Sequence, residues 1–283
     1  MSPTDHGPGL AESALLTSRQ AGRSSWLGWA GRIGLVAKGF SYALVGVLAI
    51  ALAAGLGGRA AGRGGALEVV ADEFYGRALM LALALGFAAY ALWRLAQAIL
   101  DRDDEGLDGS GIAKRLGYLA RAVLYGSLTV TALTLLDGTG DGESDTREAR
   151  RQTAEVLTWP AGRWLVAGVG VGFLVAAGFN GFRAFTQKFE EKWKTAEMDD
   201  RTQDWLARIG SVGLLARLVV FGLIGLFLVK AAYEFDPSEA IGLDGALRTV
   251  IDGPYGGALL GALAAGLLAY AVFCFVEARY RRV

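Results

Sequence analysis

The sequence predicts an all-α integral membrane protein with six transmembrane helices. They form three parallel helical-hairpin repeats, pseudo-threefold about the membrane normal. Three observations predict it. Six long stretches carry no charge or a single one. Segments 65–98 and 245–278 align without a gap, with half of their positions identical. Each repeat crosses twice and so returns the chain to its starting side, which makes the repeats parallel.

Composition sets the class. The chain has 283 residues, 53% of them hydrophobic, with 28 basic and 28 acidic side chains and no net charge. A balanced charge argues against a nucleic-acid partner. One cysteine allows no internal disulfide, and one histidine, His6 in a polar tail, leaves no usual zinc cluster.

The elements follow in order. Residues 1–25 read as a disordered cytoplasmic tail, rich in Ser, Gly and charge and without the apolar core of a signal peptide. Trp26 and Trp29 suit a membrane–water interface. The first repeat, 26–100, has apolar windows at 33–56 and 78–100. The second, 115–187, has them at 116–136 and 164–182. The third, 208–283, has them at 209–229 and 254–276 and ends on a basic C-terminus. A span needs about 20 apolar residues, and windows such as WLVAGVGVGFLVAAGF are apolar all round, unlike an amphipathic soluble helix. The linkers 101–114 and 188–207 mix both charge signs and read as solvated connections, the second with a short helix between Trp193 and Trp205. Short interfacial helices are expected near 65–73 and 245–251, and Asp236-Pro237-Ser238 reads as a turn. About two-thirds of the Lys and Arg fall on the side of the N-terminus, which places both termini in the cytoplasm.

Each repeat opens on the same signature, G-x-x-A-[KR]-x-x-x-[YF]. It runs from Gly34 through Ala37-Lys38 to Tyr42, from Gly117 through Ala120-Arg121 to Tyr125, and from Gly213 through Ala216-Arg217 to Phe221. With Gly106-Leu-Asp-Gly-Ser-Gly111, Gly242-Leu-Asp-Gly-Ala-Leu247, Pro254-Tyr-Gly256 and the ending Glu277-Ala-Arg-Tyr-Arg-Arg282, the chain resembles a bacterial membrane family known as domain of unknown function 1206, over roughly residues 26–283. The resemblance implies three tandem two-helix units in the bacterial cytoplasmic (inner) membrane. It brings no catalytic residues.

Candidate chemistry is sparse. No phosphate-binding loop, nucleophile elbow or metalloprotease motif is present, so no enzyme and no cofactor are expected. Cys274 takes the position of Arg94 and Asn180 in the other repeats and reads as a small buried hydrophobe. Asp137, Asp141 and Glu148 space out like a calcium loop, but Thr139 and Ser144 break the pattern. An ordinary acidic, glycine-rich loop is the preferred reading.

Lys38, Arg121 and Arg217 are the strongest site candidates, because charges inside spans are costly and usually functional. They read as lying toward the cytoplasmic ends, level with Gln97, Arg183 and Glu277. Either they snorkel as structural anchors, or they form a basic ring for anionic lipid head groups or small anions. Glu277 is the expected ion-pair partner of Arg217. Gly168-x-x-x-Gly172 and Gly257-x-x-x-Gly261 serve packing within the bundle or contact in a homo-oligomer. The expected function is a structural or accessory membrane component with lipid or partner contacts. A passive channel or transporter for a small solute or anion is the alternative.

Overall fold

The computed structural model describes residues 10–56, 61–71, 76–100, 109–139, 144–187 and 200–280, with side chains in the first helix from Trp29 onward. Among these residues there are nine α-helices and no strand: α1 Leu10–Ala53, α2 Arg63–Ala71, α3 Gly76–Leu100, α4 Gly109–Leu136, α5 Asp145–Leu157, α6 Gly162–Thr186, α7 Asp200–Glu234, α8 Leu243–Ile251 and α9 Gly256–Tyr280. Six stretches are long and apolar enough to cross a membrane: Trp29–Ala53, Gly76–Ile99, Lys114–Leu136, Gly162–Thr186, Arg201–Glu234 and Gly256–Tyr280. They coincide with the six windows expected from the sequence. The tail at 1–25 falls on residues outside the described set, apart from the helical backbone that begins at Leu10. Most of both linkers lies outside it as well.

The second span of each repeat packs on the first span of another: α3 on α4, α6 on α7, and α9 on α1. The same positions make these contacts. Phe87 and Tyr90 of α3 meet Tyr125 of α4, Phe173 of α6 meets Phe221 of α7, and Tyr270 of α9 meets Tyr42 of α1, with ring centroids 4.5–5.8 Å apart. Within repeats, α1 packs on α3 and α7 on α9, whereas α4 and α6 do not pack along one another.

Glycine fixes the register of the two closed hairpins. A Cβ on Gly34 would lie 2.3 Å from Tyr90, and one on Gly213 would lie 2.6 Å from Tyr270. The paired helix backbones therefore approach closely at these two tyrosines. In the second repeat the position of Tyr90 and Tyr270 is taken by Ala176. Gly257 and Gly261 approach Ala53 of α1, while Gly168 and Gly172 meet nothing within 4 Å. One small-residue pair thus serves internal packing and the other is open.

The short helices are not laid flat on an interface, as the sequence suggested for α2 and α8. Both bury most of their first two turns, including Arg63, Ala66 and Leu67 in α2 and Leu243, Asp244 and Leu247 in α8. Between them lies α5, whose N-terminal residues hold the other two. Asp145 accepts from the amides of Arg63 (3.0 Å) and Gly64 (3.1 Å). The Thr146 hydroxyl donates to Asp244 (2.8 Å) and accepts from the amides of Gly242 and Gly245 (3.0 Å each). Amides that a helix start leaves without internal partners are thereby satisfied across elements. Asp145 fits only because glycine flanks it: a Cβ on Gly62 or on Gly242 would fall 2.2 or 2.4 Å from it. Asp236 caps a single 3-10 turn, Pro237–Glu239, where the sequence suggested a turn.

Candidate functional site

The interior between α1, α3, α7 and α9 is lined by cations and tyrosines. Lys38 is 7% exposed and reaches across from the first repeat to the third, where its Nζ donates to the Tyr270 hydroxyl at 2.7 Å. Arg217 donates from Nη1 to the same hydroxyl at 2.6 Å. Its guanidinium also lies over the rings of Phe221 and Tyr270, 4.4 and 4.6 Å from their centroids. Arg63, at the start of α2, donates from Nη2 to the Tyr42 hydroxyl at 2.5 Å. Arg94, buried in α3, donates to the Tyr90 hydroxyl and to Gln97 Oε1, each at 2.8 Å, and stacks 4.3 Å from Trp93. Neutral hydroxyls, an amide and ring faces thus receive these charges. Among the described residues no carboxylate forms a salt bridge with Lys38, Arg217 or Arg121, whereas the Glu277 carboxylate acts electrostatically on Arg94. Buried Nε groups of Arg63, Arg94 and Arg217 have no hydrogen-bond partner.

This layer lies deeper than the sequence suggested. Gly34 faces Tyr90, and a Cβ on Gly86 would meet Ala37 at 2.5 Å. Lys38 is therefore level with the region of Gly86, and Gln97 lies about 16 Å further along α3 at 1.5 Å per residue. Arg217 falls in the middle of the span Arg201–Glu234. The sequence placed Gln97, Arg183 and Glu277 level with the cations because it aligned the hairpins by their ends. The tyrosine–glycine contacts shift that register by about three turns. For the same reason Arg217 meets Tyr270 and not Glu277, which is buried two turns further along α9.

Arg121 stands apart from Lys38 and Arg217. It is exposed, and Nη1 donates to the carbonyl of Gly117 in its own helix at 2.9 Å. A Cβ on Gly117 would lie 3.3 Å from this Nη1, where Tyr90 and Tyr270 stand against the corresponding glycines. Two further basic residues escaped the sequence reading. Arg94 could have been found, since it stands four residues after Tyr90 on one helix face. Arg63 sits in a glycine-rich connection and carries no local signal.

The calcium spacing is not assembled as a site. Asp141 lies outside the described residues, Asp137 is exposed after α4, and Asp145 is turned to α2. Glu148 accepts from Arg151 (2.7 Å) and from Gln152 on its own helix. Among the described residues no three His, Cys, Asp or Glu side chains are grouped to hold a metal ion. Cys274 is fully buried. Burial pushes the Asp145 carboxyl above the usual carboxylate range, against the opposing pull of the Arg63 guanidinium and of the Gly64 and Arg63 amides.

The family described as Domain of Unknown Function (DUF1206) matches three tandem segments, residues 33–101, 116–187 and 212–281. An uncharacterized protein, YxxB of Bacillus subtilis, is 33% identical over 258 residues, covering 91% of this chain and 92% of the relative. No solved structure matches. The matched segments coincide with the three two-span repeats that carry the glycine–cation–aromatic signature, and the chain belongs to the DUF1206 family.

Proposed function

We propose that this chain is an accessory component of the bacterial cytoplasmic membrane that holds an anionic group, a lipid phosphate, within its cation–tyrosine layer. Both termini face the cytoplasm in this reading, and the three hairpins are related by a pseudo-threefold axis along the membrane normal. The repeated packing of α3 on α4, α6 on α7 and α9 on α1 supports that arrangement. The Phe87–Tyr125 and Phe173–Phe221 contacts support it too, as do Tyr90–Tyr125 and Tyr270–Tyr42.

One observation carries the functional reading: Lys38 and Arg217 share a single neutral hydroxyl. Their nitrogens stand within about 5 Å of one another. At an effective dielectric of about 20 the repulsion is ~3 kcal/mol. An unpaired buried charge is costly, and a low-dielectric site favours whatever counter-charge can reach it. A phosphate bridging both cations reverses the sign of that term and supplies acceptors for their remaining donors.

The test is lipid retention. Protein extracted mildly from its membrane, washed and analysed by native mass spectrometry should carry anionic phospholipid in preference to zwitterionic lipid. Replacing Lys38→Gln together with Arg217→Gln should lower that retention at least tenfold while thermal unfolding in detergent stays cooperative. Equal retention by the folded double variant would rule the reading out.

A further inference from the structure

Among the positions where the second repeat departs from the other two, one falls where its two spans do not pack along one another. In the first and third repeats a tyrosine of the second span, Tyr90 or Tyr270, covers a glycine of the first, Gly34 or Gly213. In the second repeat Ala176 stands at the tyrosine position. Here α4 and α6 do not pack along one another, and Gly168 and Gly172, which precede Ala176 on the same face of α6, meet nothing within 4 Å. Gly117 is covered only by the guanidinium of Arg121, which is exposed and, among the described residues, bonds only to the Gly117 carbonyl of its own helix.

The missing tyrosine also accounts for the crowding at Tyr270. Lys38 of the first repeat reaches back to the tyrosine of the third. The equivalent partner for Arg217 would stand at position 176, where there is no hydroxyl. Arg217 turns instead to the hydroxyl that Lys38 already uses, and its Nε is left buried without a partner.

From this we infer that the separation of α4 from α6 is a lateral entrance for an anionic amphiphile, a membrane phospholipid. Its head-group phosphate passes Arg121 and meets Arg217 and Lys38, and its acyl chains stay between the two helices. The inference rests on the anion-binding reading above and specifies the ligand and its route. Chemistry selects the class. An opening along the sides of two spans faces hydrocarbon, which a free anion does not cross. A phosphate tethered to acyl chains approaches from that side. The helices flanking the opening present large apolar side chains at their surfaces, Leu119 and Val123 on α4 and Val175 and Phe179 on α6, as acyl chains require. The cations supply the complementary charge.

The experiment restores the absent ring. Ala176→Tyr supplies the side chain that the other two repeats carry. Gly172→Leu adds bulk on the same face of α6, at a position where a Cβ meets nothing within 4 Å. Wild type, both variants and the Lys38→Gln/Arg217→Gln double variant are delipidated and titrated by native mass spectrometry. The probes are phosphatidylglycerol, phosphatidylcholine and inorganic phosphate. The wild type is expected to bind phosphatidylglycerol at least tenfold better than phosphatidylcholine, and either filling substitution to reduce that binding at least tenfold. Loss of binding in the cation variant with full binding in Ala176→Tyr and Gly172→Leu would overturn the entrance and leave the anion site standing. Equal phosphatidylglycerol binding by all four proteins would overturn both. Inorganic phosphate binding as tightly as the lipid, unaffected by the filling substitutions, would make the ligand a free anion and overturn the inference. So would a wild-type dimer that either filling substitution converts to monomer, because the groove would then receive a second copy.

Discussion

Removing one oxygen atom from Tyr270 tests the electrostatic layer without disturbing its packing. Tyr270→Phe keeps the ring against Tyr42, 4.8 Å away and nearly perpendicular, and keeps Gly213 covered. It removes the acceptor that Lys38 Nζ and Arg217 Nη1 share at 2.7 and 2.6 Å. A hydrogen bond to a charged group contributes ~1.5–3 kcal/mol, and a buried donor left without a partner forfeits its solvation as well. Two such bonds give an expected loss of about 3–6 kcal/mol in lipid-free protein. Equilibrium unfolding of delipidated protein in detergent reads this directly, with Tyr233→Phe, at a largely exposed ring, as the control. Added phosphatidylglycerol should recover a larger share of stability in Tyr270→Phe than in wild type, since the phosphate then becomes the main acceptor. A loss below ~1 kcal/mol in lipid-free protein would refute the premise that this hydroxyl is the shared hydrogen-bond acceptor of two buried cations.

Other outcomes follow from the same packing. Gly213→Val places a branched side chain where a Cβ alone already comes within 2.6 Å of the Tyr270 backbone, so α7 and α9 must separate. Overpacking of this kind typically costs ~1–3 kcal/mol, and the unfolding midpoint should fall accordingly, whereas Gly168→Val, into open space, should leave it unchanged. Asp145→Ala removes the acceptor for the first two amides of α2 and should cost about 1 kcal/mol, as loss of a helix cap does. The Asp145 carboxyl titrates above the usual range because of burial. The folded state therefore holds this proton more tightly than the unfolded state, and this group's contribution to stability rises as pH falls from its raised value toward ~4. Asp145→Asn should flatten that part of the pH–stability curve. A steeper curve in the variant would contradict the assignment.

The six spans and the threefold repetition of sequence were legible because burial in lipid demands long uncharged windows. The G-x-x-A-[KR]-x-x-x-[YF] signature pointed to the right helices and to Lys38 and Arg217. It could not give their depth. That depends on which residue of the second span faces the motif glycine, and only the Gly34–Tyr90 and Gly213–Tyr270 contacts reveal it. Helix α5 was missed because Asp145–Leu157 is polar on most of its surface and follows a glycine-rich stretch that resembles a calcium loop. Arg63 was missed for a physical reason as well: its burial comes from α2 turning inward under the hold of Asp145, a contact 82 residues distant in the chain. The Arg217–Glu277 pair was a sound charge argument at the wrong register.

In the proposed complex a lipid phosphate sits against Lys38 and Arg217. Solid-state NMR of nitrogen-15-labelled protein in phosphatidylglycerol bilayers measures phosphorus–nitrogen dipolar dephasing at side-chain nitrogens. Strong dephasing of one lysine Nζ signal and one arginine Nη signal is expected. The first should vanish from the spectrum in Lys38→Gln and the second in Arg217→Gln. Full-intensity, undephased signals at both positions would contradict it.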